Sequence, residues 1–167
     1  GSGSLFIADS GNSRIRRVDP NGTITTVAGS DRAGFTGDGG PATEARLDWP
    51  MGMFVDDGGN LLIADWRNNR VRRVDAVGTI TTVAGNGDFF DSGDGLSATE
   101  AGLSSPFGLF VDAEGNLLVS SWEWSRIRRI EAGTGIISTV VDFSTTKDLF
   151  GDAAGRLFVG DAGNNVV

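Results

Sequence analysis

The sequence of 167 residues contains no cysteine, no histidine and no tyrosine. Without cysteine there is no disulfide framework, and without cysteine and histidine the commonest zinc ligands are missing. The absence of histidine also removes the imidazole general base and the Ser-His nucleophile pair. Because carboxylates, lysine, serine and threonine are left to carry chemistry, we expect a protein that is not an enzyme and that uses no cofactor and no metal.

Positive charge is scarce, and long apolar runs are missing. Fourteen Lys and Arg residues stand against 22 Asp and Glu, which gives a net charge of −8 at pH 7 and a pI near 4.4. This balance disfavours nucleic acid as a partner, because phosphate backbones attract basic surfaces. No run approaches the ~20 apolar residues that a membrane-spanning helix needs, so we expect no such helix.

The dominant feature of the sequence is an internal repeat of roughly 56 residues. Residues 5–60 align without a gap with residues 61–116 and are identical to them at more than half of the positions. A third copy starts at Leu117 and a fourth at Leu157. Such a repeat indicates an array of similar structural units, each of which buries its apolar surface against its neighbours.

Each copy contains four short runs rich in Val, Ile, Leu, Phe and Thr. In the second copy we place strands at residues 52–56, 61–65, 70–75 and 79–84. The turns between them hold Asp, Asn and Gly, as at residues 57–60, and these residues tolerate the positive φ of hairpin turns. Four antiparallel strands per repeat predict an all-β fold built from β-propeller blades.

Helical periodicity is confined to the long connections between the repeats. Residues 41–47 and 97–103 each have the length and composition for about two helical turns. Both follow a Gly-Asp-Gly triplet, at residues 37–39 and 93–95. The triplets lack the Glu that a calcium-binding EF-hand loop places at its twelfth position, so we interpret them as turns and not as metal sites.

Three phrases of the second copy carry a resemblance to a known family. They are Pro-x-Gly-x-Phe-Val-Asp at residues 50–56, Gly-Asn-Leu-Leu-Ile-Ala-Asp at residues 59–65 and Asn-Asn-Arg-Val at residues 68–71. Together they resemble the NHL repeat. Residues 23–50 resemble the longer NHL variety of bacterial and teneurin-like surface proteins. The resemblance implies a β-propeller, which in NHL proteins commonly has six blades.

Labelling the strands of a blade a to d from the centre outward gives the expected organisation. Residues 1–4 have the composition of a linker, and residues 5–167 form the NHL-type segment. Within it we place a partial blade of strands b, c and d, two complete blades, and a partial blade of strands a and b, at residues 5–29, 52–84, 108–141 and 148–167 respectively. This organisation fits a three-blade fragment or an engineered half-propeller.

Three blades per chain are fewer than the four to eight with which propellers close. We therefore expect two chains to form one six-bladed ring as a homodimer with two-fold symmetry. The segments at residues 5–9 and 157–161 compete for the same b position at the split blade, and the sequence does not decide between them.

Aromatic residues are the most informative departure from the repeat. They follow strand b or lie in the long connections, which share one face in propellers: Trp49, Trp66, Trp122, Trp124, Phe89 and Phe90, together with Phe35. Exposed aromatic side chains on one face favour recognition of a protein, a peptide or a glycan. The alternative is that they fold over the rim and cover a small core of the connections.

Arginine recurs in the predicted third strand of every copy, as Arg14, Arg70 and Arg126. Alternate side chains of a strand point to opposite faces, so we expect these arginines to pair with carboxylates such as Asp9 and Asp65 and to hold one blade against the next. The alternative is an RNA-binding surface, since some NHL propellers bind RNA, but the acidic net charge disfavours it.

These features favour a non-enzymatic repeat scaffold that self-assembles into a propeller and presents a loop face for protein, peptide or glycan binding. Two alternatives stay open. One is a fragment of a metal-dependent lyase or hydrolase of propeller type, and the other is an RNA-binding NHL module. Related propeller enzymes hold a metal in the central channel with carboxylates, Asn or His, and this chain contains no His.

Overall fold

The fold consists of short β-strands joined by turns and by two long connections. The computed structural model describes residues 3–142, 146–152 and 156–161. Residues 1–2 of the predicted linker and residues 162–167, at the end of the predicted a-b segment, lie outside the described residues. Within the described part of the chain, no helix has the length and apolarity to cross a membrane.

The strands of the described ranges fall into four groups along the chain. The first group comprises β1 (Leu5–Asp9), β2 (Arg14–Val18) and β3 (Ile24–Ala28). The second comprises β4 (Pro50–Val55), β5 (Leu61–Asp65), β6 (Arg70–Val74) and β7 (Ile80–Ala84). The third comprises β8 (Pro106–Val111), β9 (Leu117–Ser121), β10 (Arg126–Ile130) and β11 (Ile137–Asp142), and the last comprises β12 (Thr146–Gly151) and β13 (Leu157–Asp161).

Each group forms its own antiparallel sheet in chain order. Two sheets have four strands, β4-β5-β6-β7 and β8-β9-β10-β11. The first sheet has three strands, β1-β2-β3, and the last has two, β12-β13. The prediction of an all-β fold with four-stranded antiparallel sheets like propeller blades is therefore confirmed.

Aspartates at the strand ends close the hairpin turns. The Asp56 carboxylate accepts hydrogen bonds from the backbone N–H and the side-chain amide of Asn60, and Asp112 does the same for Asn116. Gly59 adopts φ +77° in the first of these turns. Because an Asx-type bond replaces part of the ladder at the turn, the register of each hairpin is set locally by the sequence.

The apolar core lies between neighbouring sheets. One cluster joins the second and third sheets through residues such as Leu62, Leu109 and Val119. The innermost strands β4 and β8 approach so closely that a Cβ on Gly52 would overlap the carbonyl oxygen of Phe107. Each sheet therefore buries its faces against its neighbours, which is the packing of propeller blades.

The two long connections do not contain the short helices that the sequence predicts. Residues 41–47 and 97–103 form turns, so this prediction is wrong. Their backbone groups bond instead to residues just before the outermost strand of the following sheet: Ala42 N–H donates to the Gly78 carbonyl, and Ala98 N–H donates to the Gly135 carbonyl. The connections thus cover the edges of β7 and β11, and those bonds compete with intrahelical ones.

Candidate binding face

One face of the sheets is formed by the turns that follow β5 and β9 and by the ends of the long connections. We call it the loop face. The two parts are joined by backbone hydrogen bonds, because Arg67 N–H donates to the Asp48 carbonyl and Trp122 N–H donates to the Ser105 carbonyl. The end of each connection is therefore fixed beside the turn between the second and third strands of its blade.

The first aromatic group on the loop face consists of Trp49 and Trp66. Their rings meet edge to face, with centroids 6.2 Å apart. Arg67 extends across both rings, with its guanidinium carbon 4.7 Å from the Trp49 centroid and 5.6 Å from the Trp66 centroid. This geometry is a cation–π contact, so the chain supplies its own cation to the tryptophan pair.

The second aromatic group consists of Phe89, Phe90 and Trp124, and we call it the open aromatic cluster. The Phe89 and Phe90 rings lie 5.8 Å apart, and the Phe90 and Trp124 rings lie 5.7 Å apart. The three residues keep 48%, 61% and 44% of their surface exposed. Such a contiguous exposed group is the kind of surface that partner molecules cover.

The remaining predicted aromatic residues, Trp122 and Phe35, each contact another side chain of the chain. Trp122 packs against Phe107 of β8 at a centroid distance of 4.8 Å, and it is half-buried. Phe35 lies under Arg70, whose guanidinium carbon is 3.9 Å from the ring centroid. The structure thus brings the predicted residues together in groups, with Trp122 and Phe35 serving packing in part, as the rim-covering alternative describes.

Asn69 links the two aromatic groups. It ends the turn after β5 in a left-handed conformation, with φ +53°. Its side-chain amide donates to the Gly87 carbonyl, and its side-chain oxygen accepts the Ser105 N–H. Because Gly87 and Ser105 both belong to the next connection, Asn69 holds the base of the open aromatic cluster against the preceding blade.

A buried carboxylate anchors each connection, but it comes from different positions in the two repeats. In the second sheet Asp65, at the end of β5, accepts the Asp48 N–H and the Asn68 amide at 2.8 Å each. In the third sheet Ser121 takes the equivalent position, and Asp91 of the connection accepts the Ser104 N–H and the Ser121 hydroxyl. Burial raises the pKa of Asp65 to about 6 and raises the pKa of Asp91 as well.

Each buried carboxylate lies beside a buried arginine. Arg72 of β6 is fully buried, with one nitrogen 3.4 Å from Asp65 and another 2.7 Å from Asp38. Arg128 of β10 repeats the arrangement, 3.7 Å from Asp91 and 2.7 Å from Asp94. Asp38 and Asp94 belong to the Gly-Asp-Gly triplets, so these triplets attach the connections to the following sheet.

The arginines singled out from the sequence have other partners. Arg14 donates to the Ser30 carbonyl and Arg70 to the Asn86 carbonyl, while Arg126 forms an ion pair with Asp142. Asp9 accepts a hydrogen bond from Asn12. The arginine paired with Asp65 is Arg72, two positions after Arg70 and on the same face of the strand. The aligned repeats carry the signal for it: Arg72 and Arg128 occupy equivalent positions, as do Asp38 and Asp94, whereas the buried carboxylate is Asp65 in one repeat and Asp91 in the next.

In the part of the chain that the structure describes, no three acidic side chains come close enough together to form a metal site. Asp38, Asp65, Asp91 and Asp94 are instead engaged with arginine or with backbone N–H groups. What the loop face offers chemically is aromatic surface, one stacked arginine and exposed carboxylates.

The chain is similar in sequence to several proteins. It is 34% identical over 153 residues to teneurin-4 of Mus musculus, which covers 83% of this chain and 5% of that protein. It is 34% identical over 122 residues to NHL repeat-containing protein 2 of Bos taurus, which covers 68% of this chain and 17% of that protein. The chain therefore spans a small part of the curated relatives that it matches. No protein-family model matches it.

Solved structures share the fold at low sequence identity. A catalytically inactive virginiamycin B lyase from Staphylococcus aureus, in which a histidine is replaced by alanine, matches with a TM-score of 0.64 and 17% identity over 98% of this chain and 47% of the lyase. A chain of the nidogen/laminin complex matches with a TM-score of 0.68 and 19% identity over 96% of this chain and 53% of that chain. The chain is homologous to NHL and teneurin-like β-propeller repeats, and its fold is that of part of a propeller.

Proposed function

We propose that the chain is a non-enzymatic propeller scaffold that binds a protein, a peptide or a glycan at its loop face. The observation that carries this proposal is the open aromatic cluster, whose three rings contact one another and remain exposed. Aromatic side chains of this kind dominate recognition surfaces because they bury much apolar area and lose little conformational entropy.

The absence of histidine supports the non-enzymatic part of the proposal. The lyase that shares the fold is described as catalytically inactive once a histidine is replaced by alanine, and this chain has no residue of that type. The buried carboxylates near the loop face, Asp65 and Asp91, hold arginines and backbone groups, which leaves these two committed to structure. An RNA-binding role finds less support, because the net charge is −8.

A panel of displayed peptides and immobilised glycans, probed with the labelled chain, tests this function. We expect at least one class of ligand to bind, and we expect Phe90→Ala and Trp124→Ala to weaken that binding severalfold. Val77→Ala is the matched control, because Val77 is 87% exposed in a turn at the opposite end of the sheet. Binding that survives both loop-face substitutions, or that falls equally with the control, would place the site elsewhere.

We propose in addition that the chain self-associates to complete a ring of blades. The supporting observation is the pair of incomplete sheets: in the described residues β1-β2-β3 lacks an innermost strand, while β12-β13 consists of the two inner strands alone. Leu5 and Ile7 of β1 are 61% and 38% exposed along this edge. An open edge with apolar side chains favours pairing with another chain.

A further inference from the structure

The two aromatic groups of the loop face differ in the charge of the neighbouring side chain. In the tryptophan pair, Arg67 extends over both rings. In the following repeat the residue equivalent to Arg67 is Glu123, and Trp124 takes the position of Asn68. The same turn therefore carries a cation in one blade and a carboxylate with an additional aromatic ring in the next.

Two exposed acidic residues adjoin the open aromatic cluster in the sequence. Glu123 is exposed and immediately precedes Trp124, and Asp88 is exposed and immediately precedes Phe89. Within the described residues, the contacts between a cation and a ring involve other aromatic residues and not this cluster. The faces of its rings are thus available to a cation from outside the chain.

We propose that the open aromatic cluster binds an arginine side chain presented by a partner peptide or protein. The inference rests on the proposed loop-face function and specifies its ligand. The tryptophan pair is the internal precedent, since Arg67 shows how this turn seats a guanidinium group on aromatic rings at 4.7 Å. A planar guanidinium group stacks on Phe90 or Trp124 and reaches a carboxylate at the same time, which a neutral glycan cannot do.

Charge complementarity supports this ligand over an apolar peptide or an anion. The net charge of −8 attracts basic segments over a long range, and the exposed residues Glu123 and Asp88 immediately precede Trp124 and Phe89 in the sequence. A purely apolar partner would cover these carboxylates without compensation, which is unfavourable. The cluster therefore fits a segment that carries arginine more closely than one that carries leucine or phenylalanine.

The test uses a blocked Gly-Arg-Gly peptide and its citrulline counterpart, in which a neutral urea group of nearly the same shape replaces the guanidinium. The four indole N–H signals of the labelled chain are followed by NMR during each titration. We expect the arginine peptide to shift the Trp124 signal and to bind roughly tenfold more tightly than the citrulline peptide. Equal shifts with both peptides, or no shift with either, would overturn the inference.

Exchanging the charges between the repeats gives a reciprocal test. Glu123→Arg supplies the open aromatic cluster with its own cation, so we expect it to abolish the response of Trp124 to the arginine peptide. Arg67→Glu removes the cation from the tryptophan pair, so we expect the peptide to shift the Trp49 and Trp66 signals as well. A Trp124 response that persists in Glu123→Arg contradicts the inference even if the peptide binds.

The outcomes separate this inference from the proposed function on which it rests. If a ligand from the displayed panel is weakened by Trp124→Ala but needs no arginine, the loop face is a binding site and the arginine ligand is wrong. If neither the panel nor the arginine peptide responds to Trp124→Ala, both proposals fail.

Discussion

At the scale of single residues, the buried arginines are the most demanding feature of the molecule. Arg72 is fully buried and contacts Asp38, Asp65 and the Thr36 carbonyl. We expect Arg72→Ala to destabilise the fold by about 3–5 kcal/mol, because it leaves the Asp65 carboxyl buried without its cation. The midpoint of urea unfolding measures this loss.

The neighbouring residue provides the control for this prediction. Arg73 lies next to Arg72 on the same strand and is exposed, so we expect Arg73→Ala to change the free energy of unfolding by no more than about 0.5 kcal/mol. If both substitutions lowered the urea midpoint equally, the burial of Arg72 would not be the cause.

Asp65 makes the stability depend on pH. Burial raises its pKa to about 6 from 3.8, so between these values the folded protein holds a proton that the unfolded chain releases. The stabilisation is complete below about pH 3.8 and is lost as the pH rises through about 6, with a total near 3 kcal/mol at roughly 1.4 kcal/mol per pKa unit. Asp91, whose pKa is also raised, acts in the same direction.

Urea unfolding of Asp65→Asn between pH 4 and 7 measures this contribution. An amide cannot titrate, so we expect the variant to lose most of the fall in stability that the parent shows over this range. Asp88→Asn is the control, because the Asp88 residue is exposed to solvent. A parent protein whose stability rises steadily from pH 4 to 7 would contradict the prediction.

The sequence predicts the residue types at these sites better than their pairing. Arginine on the third strand and carboxylates near it are visible in the repeat, but the buried partner of Arg72 depends on which side chains the long connection covers. The aligned repeats show that Ser121 stands at the position of Asp65 and that Asp91 stands at the position of Phe35. The sequence does not show that Asp91 replaces the Asp65 carboxylate, because Asp91 and Ser121 are distant in sequence and come into contact only in the folded chain.

At the scale of elements, the approach of the innermost strands controls how the blades stack. Gly52 of β4 leaves no room for a side chain, since a Cβ there would overlap the Phe107 carbonyl of β8. We expect Gly52→Ala to push these strands apart and to cost about 1–3 kcal/mol. Thermal unfolding followed by tryptophan fluorescence measures it.

The matched control is Gly11→Ala. Nothing lies within 4 Å of the position that its Cβ would occupy, so we expect at most a small change in unfolding temperature. Equal changes in the unfolding temperature for the two substitutions would mean that contact between the strands does not set the cost.

The elements themselves were largely predictable, and the long connections were not. Short apolar runs and turns rich in Asp, Gly and Asn determine the hairpins locally, and the predicted strand at residues 61–65 coincides with β5. Residues 41–47 have helical composition, but Ala42 and Gly40 bond to Gly78 and Ile80 of the next sheet. These hydrogen bonds to the next sheet replace intrahelical ones. They join residues that are distant in sequence, so the sequence of the connection carries no periodic pattern that would predict them.

At the scale of the whole molecule, the sheets stack through shared apolar clusters. In an open array of similar blades, the first and the last sheet each keep one face or edge without a neighbour. Each sheet covers the face of its neighbour, while β1 exposes Leu5 and Ile7 along an open edge. Closure of the ring that the repeat predicts therefore requires that other strands cover these edges. The strand missing beside β1 is an innermost strand, which is the place that β12 takes beside β13 in the last sheet.

The solution mass decides whether a second chain takes that position. We expect light scattering coupled to size exclusion to give a concentration-independent mass near twice the 17.4 kDa of the chain, because three blades are too few to close a propeller and two chains would supply six. Leu5→Lys places a charge on the edge of β1 and should shift the mass toward the monomer. Val77→Lys, which places a charge on a more exposed apolar side chain at a turn, should leave the mass unchanged. A compact monomer at every concentration would contradict the two-chain ring, since the edge of β1 would then be stable without a partner strand. A larger discrete mass would contradict the dimer and would indicate a ring with more blades.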